Sequence, residues 1–175
     1  MKTLVLGLGN ELFGDDGVGL HIIESLKKEF IDEKESQAVI SGPSGTIEFM
    51  ASNSTGLALL DLISGYDHVL IIDTIKKDCP QTGMVRLLKE KDLRAVPGPS
   101  PHYVSFPQIL QIGRAAGLPV PRELTVVAIE AKKIYELGEG LTAEMKARLP
   151  EIISFIKSLL GLDNWDNESQ RNNCP

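Results

Sequence analysis

Cysteine is nearly absent. Cys79 and Cys174 are the only two in 175 residues. So sparse a pair allows at most one disulfide, which the sequence leaves open, and no Cys-x-x-Cys or Cys/His cluster suggests a zinc site. Both are read as free thiols in a reducing compartment. Positive charge is also short: 18 Lys and Arg stand against 24 Asp and Glu, a formal net charge of −6. A chain this acidic lacks the basic face that a nucleic-acid backbone requires. No apolar stretch approaches the ~20 residues that span a bilayer. The first run, Leu4-Val5-Leu6, meets glycine at once and is too short for a signal peptide, which points to the cytoplasm. Gly-x-Ser-x-Gly is missing, and nothing pairs Ser44, in its turn, with a base, so serine-nucleophile chemistry has little support.

The chain does have an ordinary apolar share, 42%, with 24% charged residues. That is enough for one domain with a core of its own. Residues 3–8 are continuously apolar, as in a strand buried on both faces of a parallel sheet. Val18, Ile22, Leu26 and Phe30 recur every four residues and predict a helix starting near Asp15. Residues 37–41 read as a second strand, and 46–50 and 57–63 as helical. Residues 68–73 form the clearest buried strand, and 83–88 an edge strand. Residues 104–116 read as a helix whose regular part starts near Pro107, 124–129 as a fifth strand, and 142–160 as a helix that Pro150 kinks or breaks. Strands alternating with helices imply a single-domain α/β fold over residues 1–162, a mostly parallel twisted sheet of about five strands with helices on both faces. Residues 163–175 are polar and asparagine-rich, and are expected to be a disordered tail.

Three side chains stand out for chemistry. The loop after the first strand runs Gly7-Leu8-Gly9-Asn10-Glu11-Leu12-Phe13-Gly14-Asp15-Asp16-Gly17. It resembles a phosphate-binding turn, but two aspartates sit where the phosphate would bind. One of them suits a helix N-cap, which leaves the other carboxylate, Asp16, for another role. Asp73 ends an apolar strand, so it belongs at the carboxyl edge of the sheet, where open α/β sheets bind ligands. An Asx-type turn is its plain structural alternative. His102 follows Pro99 and Pro101 in a stiffened loop, whereas His21 and His68 fall within regular elements and are read as structural or solvated. Two carboxylates and an imidazole suit a divalent ion of intermediate hardness, nickel, zinc or iron, with positions left open for water or substrate.

These blocks together resemble the hydrogenase maturation proteases. Gly7–Gly19 is similar to that family's N-terminal signature. Ile71-Ile72-Asp73 followed by a polar turn is similar to its second block, and Ser100-Pro101-His102 before a helix to its third. The resemblance runs from about residue 2 to 160. It implies an α/β fold and an endopeptidase that removes the C-terminal extension of a NiFe-hydrogenase large-subunit precursor after nickel insertion. It also implies that Asp16, Asp73 and His102 are the metal ligands, serving as catalytic groups or reading out whether nickel is present, and that the Ni²⁺ arrives with the precursor. Many members carry Asp-Gly-Gly-Thr after the second strand, where this chain has Ser41-Gly42-Pro43-Ser44, so any acid or base role for that aspartate is open here. Two other readings stand beside this one. The first is a non-catalytic, nickel-sensing chaperone for the same precursor. The second is a peptidyl-tRNA hydrolase-like enzyme, suggested by Gly7-Leu8-Gly9-Asn10 and opposed by the acidic charge.

Overall fold

A computed structural model describes residues 1–31, 38–42, 45–93, 105–132, 134, 136–138 and 140–163. Six strands form one sheet in the order β2-β3-β1-β4-β6-β5. They are β1 (Lys2–Leu8), β2 (Val39–Gly42), β3 (Gly45–Ser52), β4 (His68–Ile75), β5 (Val85–Lys89) and β6 (Glu123–Glu130). The four central strands are mutually parallel, while β2 and β5 run antiparallel at the two edges.

The unbroken apolar strands divide their side chains between two cores, because successive residues of a strand face opposite sides. Val5 of β1, Leu70 and Ile72 of β4, and Val127 and Ile129 of β6 pack under α1 (Val18–Phe30) and α4 (Ala143–Leu160). Leu4 and Leu6, Val69 and Ile71, and Leu124 and Val126 pack under α2 (Ala58–Ile63) and α3 (Phe106–Ala115). On α1 the period-four stripe buries Val18, Ile22 and Leu26 completely, and Ile23 widens it. α3 carries a capping box from Ser105 and Gln108, with proline in its first turn as Pro107 suggests.

Two expectations need correction. Residues 46–50 are strand, not helix, and they supply the sixth strand of the sheet. Ile47 and Phe49 alternate with polar partners, and parallel pairing with β1 along its whole length overrides the weak local helix preference. Pro150 does not break α4. It lies on the solvent face, as does Lys146 one turn earlier, so water can meet the carbonyl that loses its partner. The helix also starts where capping chemistry puts it: the Thr142 hydroxyl accepts from Met145 N–H at 3.2 Å. Ser41 and Gly42 pair with Thr46 and Gly45 in the β2–β3 hairpin at the sheet edge, remote from the carboxyl ends of the parallel strands. Cys79 is a free, exposed thiol. Cys174 and the expected tail from residue 164 onward lie outside the described residues. No helix among the described residues is long and apolar enough to cross a membrane.

Candidate active site

The chain leaves β1 through α1 toward β3, and leaves β4 through α3 toward β6. The two crossovers depart in opposite directions, so the carboxyl ends of β1 and β4 flank the switch point of the sheet, where a crevice opens. Gly7 lies opposite Ile72, which sets Asp73 level with the end of β1. The loop carrying Asp16 leaves β1 at the same edge.

That loop is folded tightly against the sheet. Asn10 closes its first turn, its side-chain Oδ1 accepting from Leu12 N–H at 3.0 Å and its carbonyl from Phe13 N–H at 3.1 Å. A short 3-10 turn, η1 (Gly14–Gly17), follows and runs directly into α1. Gly9 has φ +149°, and a Cβ there would lie 2.0 Å from the Asp16 carbonyl oxygen. A Cβ on Gly19 would lie 2.3 Å from the Leu8 carbonyl oxygen. The glycines of the first block therefore let loop and helix sit on bare backbone, and this contact places Asp16.

Neither aspartate caps α1, contrary to expectation: Gly17 holds the N-cap position, and no side chain caps it. Asp15 is 1% exposed and turns the other way. Its carboxylate accepts from Thr142 N–H at 2.8 Å and from the Thr142 hydroxyl at 3.0 Å. It ties η1 to the N-terminus of α4, a contact 127 residues away in sequence and so hidden from local pattern reading.

Asp16 and Asp73 both line one cleft of about 380 Å³, together with Asn10, Phe13, Asn53, Phe106 and Ile134. The far wall is the turn 53–56 after β3, held by Ser54 N–H donating to Ser52 Oγ at 3.1 Å. The polar turn beside the site is thus this one, at the end of a parallel strand, and not the Ser41-Gly42 hairpin. Asp73 Oδ1 accepts from Thr74 N–H at 2.8 Å, and Asp16 Oδ1 accepts from the Thr74 hydroxyl at 2.8 Å. Burial pushes the Asp73 carboxyl up to about 6, with the Asp16 charge acting in the same direction and the Thr74 N–H opposing. No lysine or arginine is among the described residues of the cleft wall. His102 lies outside the described residues. Among those described, no three His, Cys, Asp or Glu side chains assemble into a metal-holding group. His21 and His68 are not in the cleft wall. His68 Nε2 lies 3.2 Å from Thr125 Oγ1, and burial lowers its pKa.

The model of the HycI family, described as hydrogenase maturation protease, matches residues 20–159. The chain belongs to the hydrogenase maturation protease family. It is 28% identical over 162 residues to the hydrogenase 2 maturation protease of Escherichia coli, covering 91% of each chain. Its fold superposes on the hydrogenase maturating endopeptidase HybD of Escherichia coli with a TM-score of 0.68 at 25% identity, over 91% of this chain and 92% of the other. It shares the fold of the NiFe-hydrogenase maturation protease HybD of Thermococcus kodakarensis, with a TM-score of 0.59 at 22% identity, over 91% and 99%. A maturation protease is a hydrolase acting as an endopeptidase in hydrogenase maturation. The peptidyl-tRNA hydrolase and non-catalytic chaperone readings are thereby set aside. Sequence reasoning missed two groups of this protease's site: Asn53 in the cleft wall, signalled by the polar break Ser52-Asn53-Ser54, and Thr74, bonded to both aspartates and signalled only by a hydroxyl residue directly after Asp73.

Proposed function

We propose that this maturation protease removes the C-terminal extension of a NiFe-hydrogenase large-subunit precursor after nickel insertion, working in the cytoplasm with residues 1–162 as its active unit and 163–175 as a polar tail. Asp16, Asp73 and His102 receive the nickel that the precursor carries. The observation behind this reading is the convergence of two carboxylates on a switch-point cleft whose described wall holds no cation. Such a wall accumulates negative charge that a divalent ion would neutralise, and oxygen donors with an imidazole suit nickel. Asp73 illustrates the point. Burial and the neighbouring carboxylate raise its pKa, and an arriving cation reverses that pressure.

In this reading the substrate's nickel supplies Lewis acidity toward the scissile carbonyl or the attacking water. The chain supplies placement. Asp16 and Asp73 fix where the ion docks, His102 completes the set, and Phe13, Phe106 and Ile134 provide apolar walls that limit water in the cleft. Water attacks without a covalent enzyme intermediate, in keeping with the missing nucleophile motif. Incubating the purified chain with nickel-loaded and nickel-free precursor tests this by mass spectrometry. Loss of the C-terminal peptide from the loaded precursor alone is the expected outcome. Equal cleavage of both forms refutes a role for nickel.

A further inference from the structure

Thr74 lies between the two carboxylates but belongs to neither side's core. Strand alternation puts it on the face of Leu70 and Ile72, beneath α1 and η1, while Asp73 points toward the opposite face. Its hydroxyl donates to Asp16 Oδ1 and its backbone N–H to Asp73 Oδ1, both at 2.8 Å. Among the described residues, no hydrogen bond reaches Oδ2 of Asp16 or Oδ2 of Asp73.

The Asp16 backbone is held by other means, namely the bare-backbone contact at Gly9 and the buried Asp15–Thr142 pair on the far side of η1. What those contacts leave undetermined is the rotation of the Asp16 carboxylate. The Thr74 hydroxyl removes that freedom. We propose that Thr74 is a positioning residue: it engages one oxygen of each aspartate and so turns the remaining oxygen of each toward an incoming divalent ion. The inference rests on the reading that Asp16 and Asp73 receive the substrate's nickel. Groups that orient metal-binding carboxylates typically change affinity by roughly 10- to 100-fold when removed.

Thr74→Val keeps the β-branched shape that a strand favours and deletes only the donor, while Thr74→Ser keeps the donor and deletes a methyl group. Titration calorimetry with nickel chloride on the full-length chain, with a thermal melt of each variant, separates the possibilities. The expected result is roughly a tenfold or greater loss of nickel affinity in Thr74→Val, most of it restored in Thr74→Ser, with both melting near the wild type. Cleavage of nickel-loaded precursor should follow the same order. Wild-type affinity in Thr74→Val overturns the proposal and leaves the nickel reading standing. Equal losses in both variants overturn it as well, since the hydroxyl would then not be the cause. A wild-type chain that cleaves nickel-free precursor as readily as nickel-loaded precursor defeats the nickel reading itself, and this inference with it.

Discussion

Asp73 and Glu130 lie near the carboxyl ends of the neighbouring parallel strands β4 and β6, two rungs apart, Asp73 beside Ala128 and Glu130 beside Ile75. Glu130 is buried and Asp73 partly so, yet they are driven in opposite directions. Glu130 is 1% exposed and fully served. It accepts from Gln81 N–H at 3.0 Å, pairs with Arg86 at 2.7 Å and meets Lys77 at 3.0 Å. The Gln81 N–H, then Arg86 and Lys77, hold its carboxyl down at about 2. Asp73 has one backbone N–H and a second carboxylate nearby, and burial lifts it to about 6. Burial alone therefore does not decide how a carboxylate behaves: it prevails at Asp73, where partners are few, and is outweighed by partners at Glu130. Glu130 is a finished structural contact that pins the β4–β5 connection to β6. Asp73 is an unfinished one, and the open cleft beside it is where a cation would complete it.

The contrast breaks most visibly in activity. Asp73→Ala should lower cleavage of nickel-loaded precursor by on the order of a hundredfold to a thousandfold, since ion docking supports several kcal/mol of transition-state stabilisation. Its melting temperature should not fall. Glu130→Gln should do the reverse. It leaves Arg86 and Lys77 without their counter-charge, so calorimetry should show the largest melting-temperature loss of this set, while the folded fraction cleaves normally.

A pH series on the metal-free chain sharpens the same comparison. Asp73 binds its proton more tightly when folded than unfolded, so its contribution to stability is complete below about 4 and is lost as pH rises through about 6. Asp73→Asn should therefore be more stable than wild type at pH 7, by up to about 3 kcal/mol for a shift of roughly two units, and should lose that advantage in acid. Glu130 has the opposite sign. Its contribution is present above about 4.5 and is lost as pH falls toward 2. Chemical denaturation of both variants across pH 3–8 checks the pair, and parallel pH profiles would contradict it. The smallest effect concerns the loop that presents Asp16. Thr142→Ala removes the α4 cap and one donor to Asp15, and should cost about 1 kcal/mol of stability in denaturant titration.

The site was legible where it depends on local pattern. A continuous apolar run marks β4, and the last residue of such a run lands at the carboxyl edge, so the sequence alone suffices to place Asp73. Asp16 was chosen for a reason that the fold replaces: its neighbour Asp15 is not a cap for α1 but an anchor for α4. No periodicity reveals a bond across 127 residues. β3 was misread for the same physical reason. Thr46-Ile47-Glu48-Phe49-Met50 is too short for its period to discriminate helix from strand, and its pairing with β1 is non-local. Thr74 escaped notice because a threonine at the end of a strand is ordinary until the η1 loop folds over it.

The measurement closest to the central claim is mass spectrometry of nickel-loaded large-subunit precursor after incubation with the Asp16→Ala, Asp73→Ala, His102→Ala triple variant. The precursor should keep its C-terminal extension under conditions where the wild-type chain removes it completely. Undiminished release of the extension by the triple variant would contradict the assignment of these three residues.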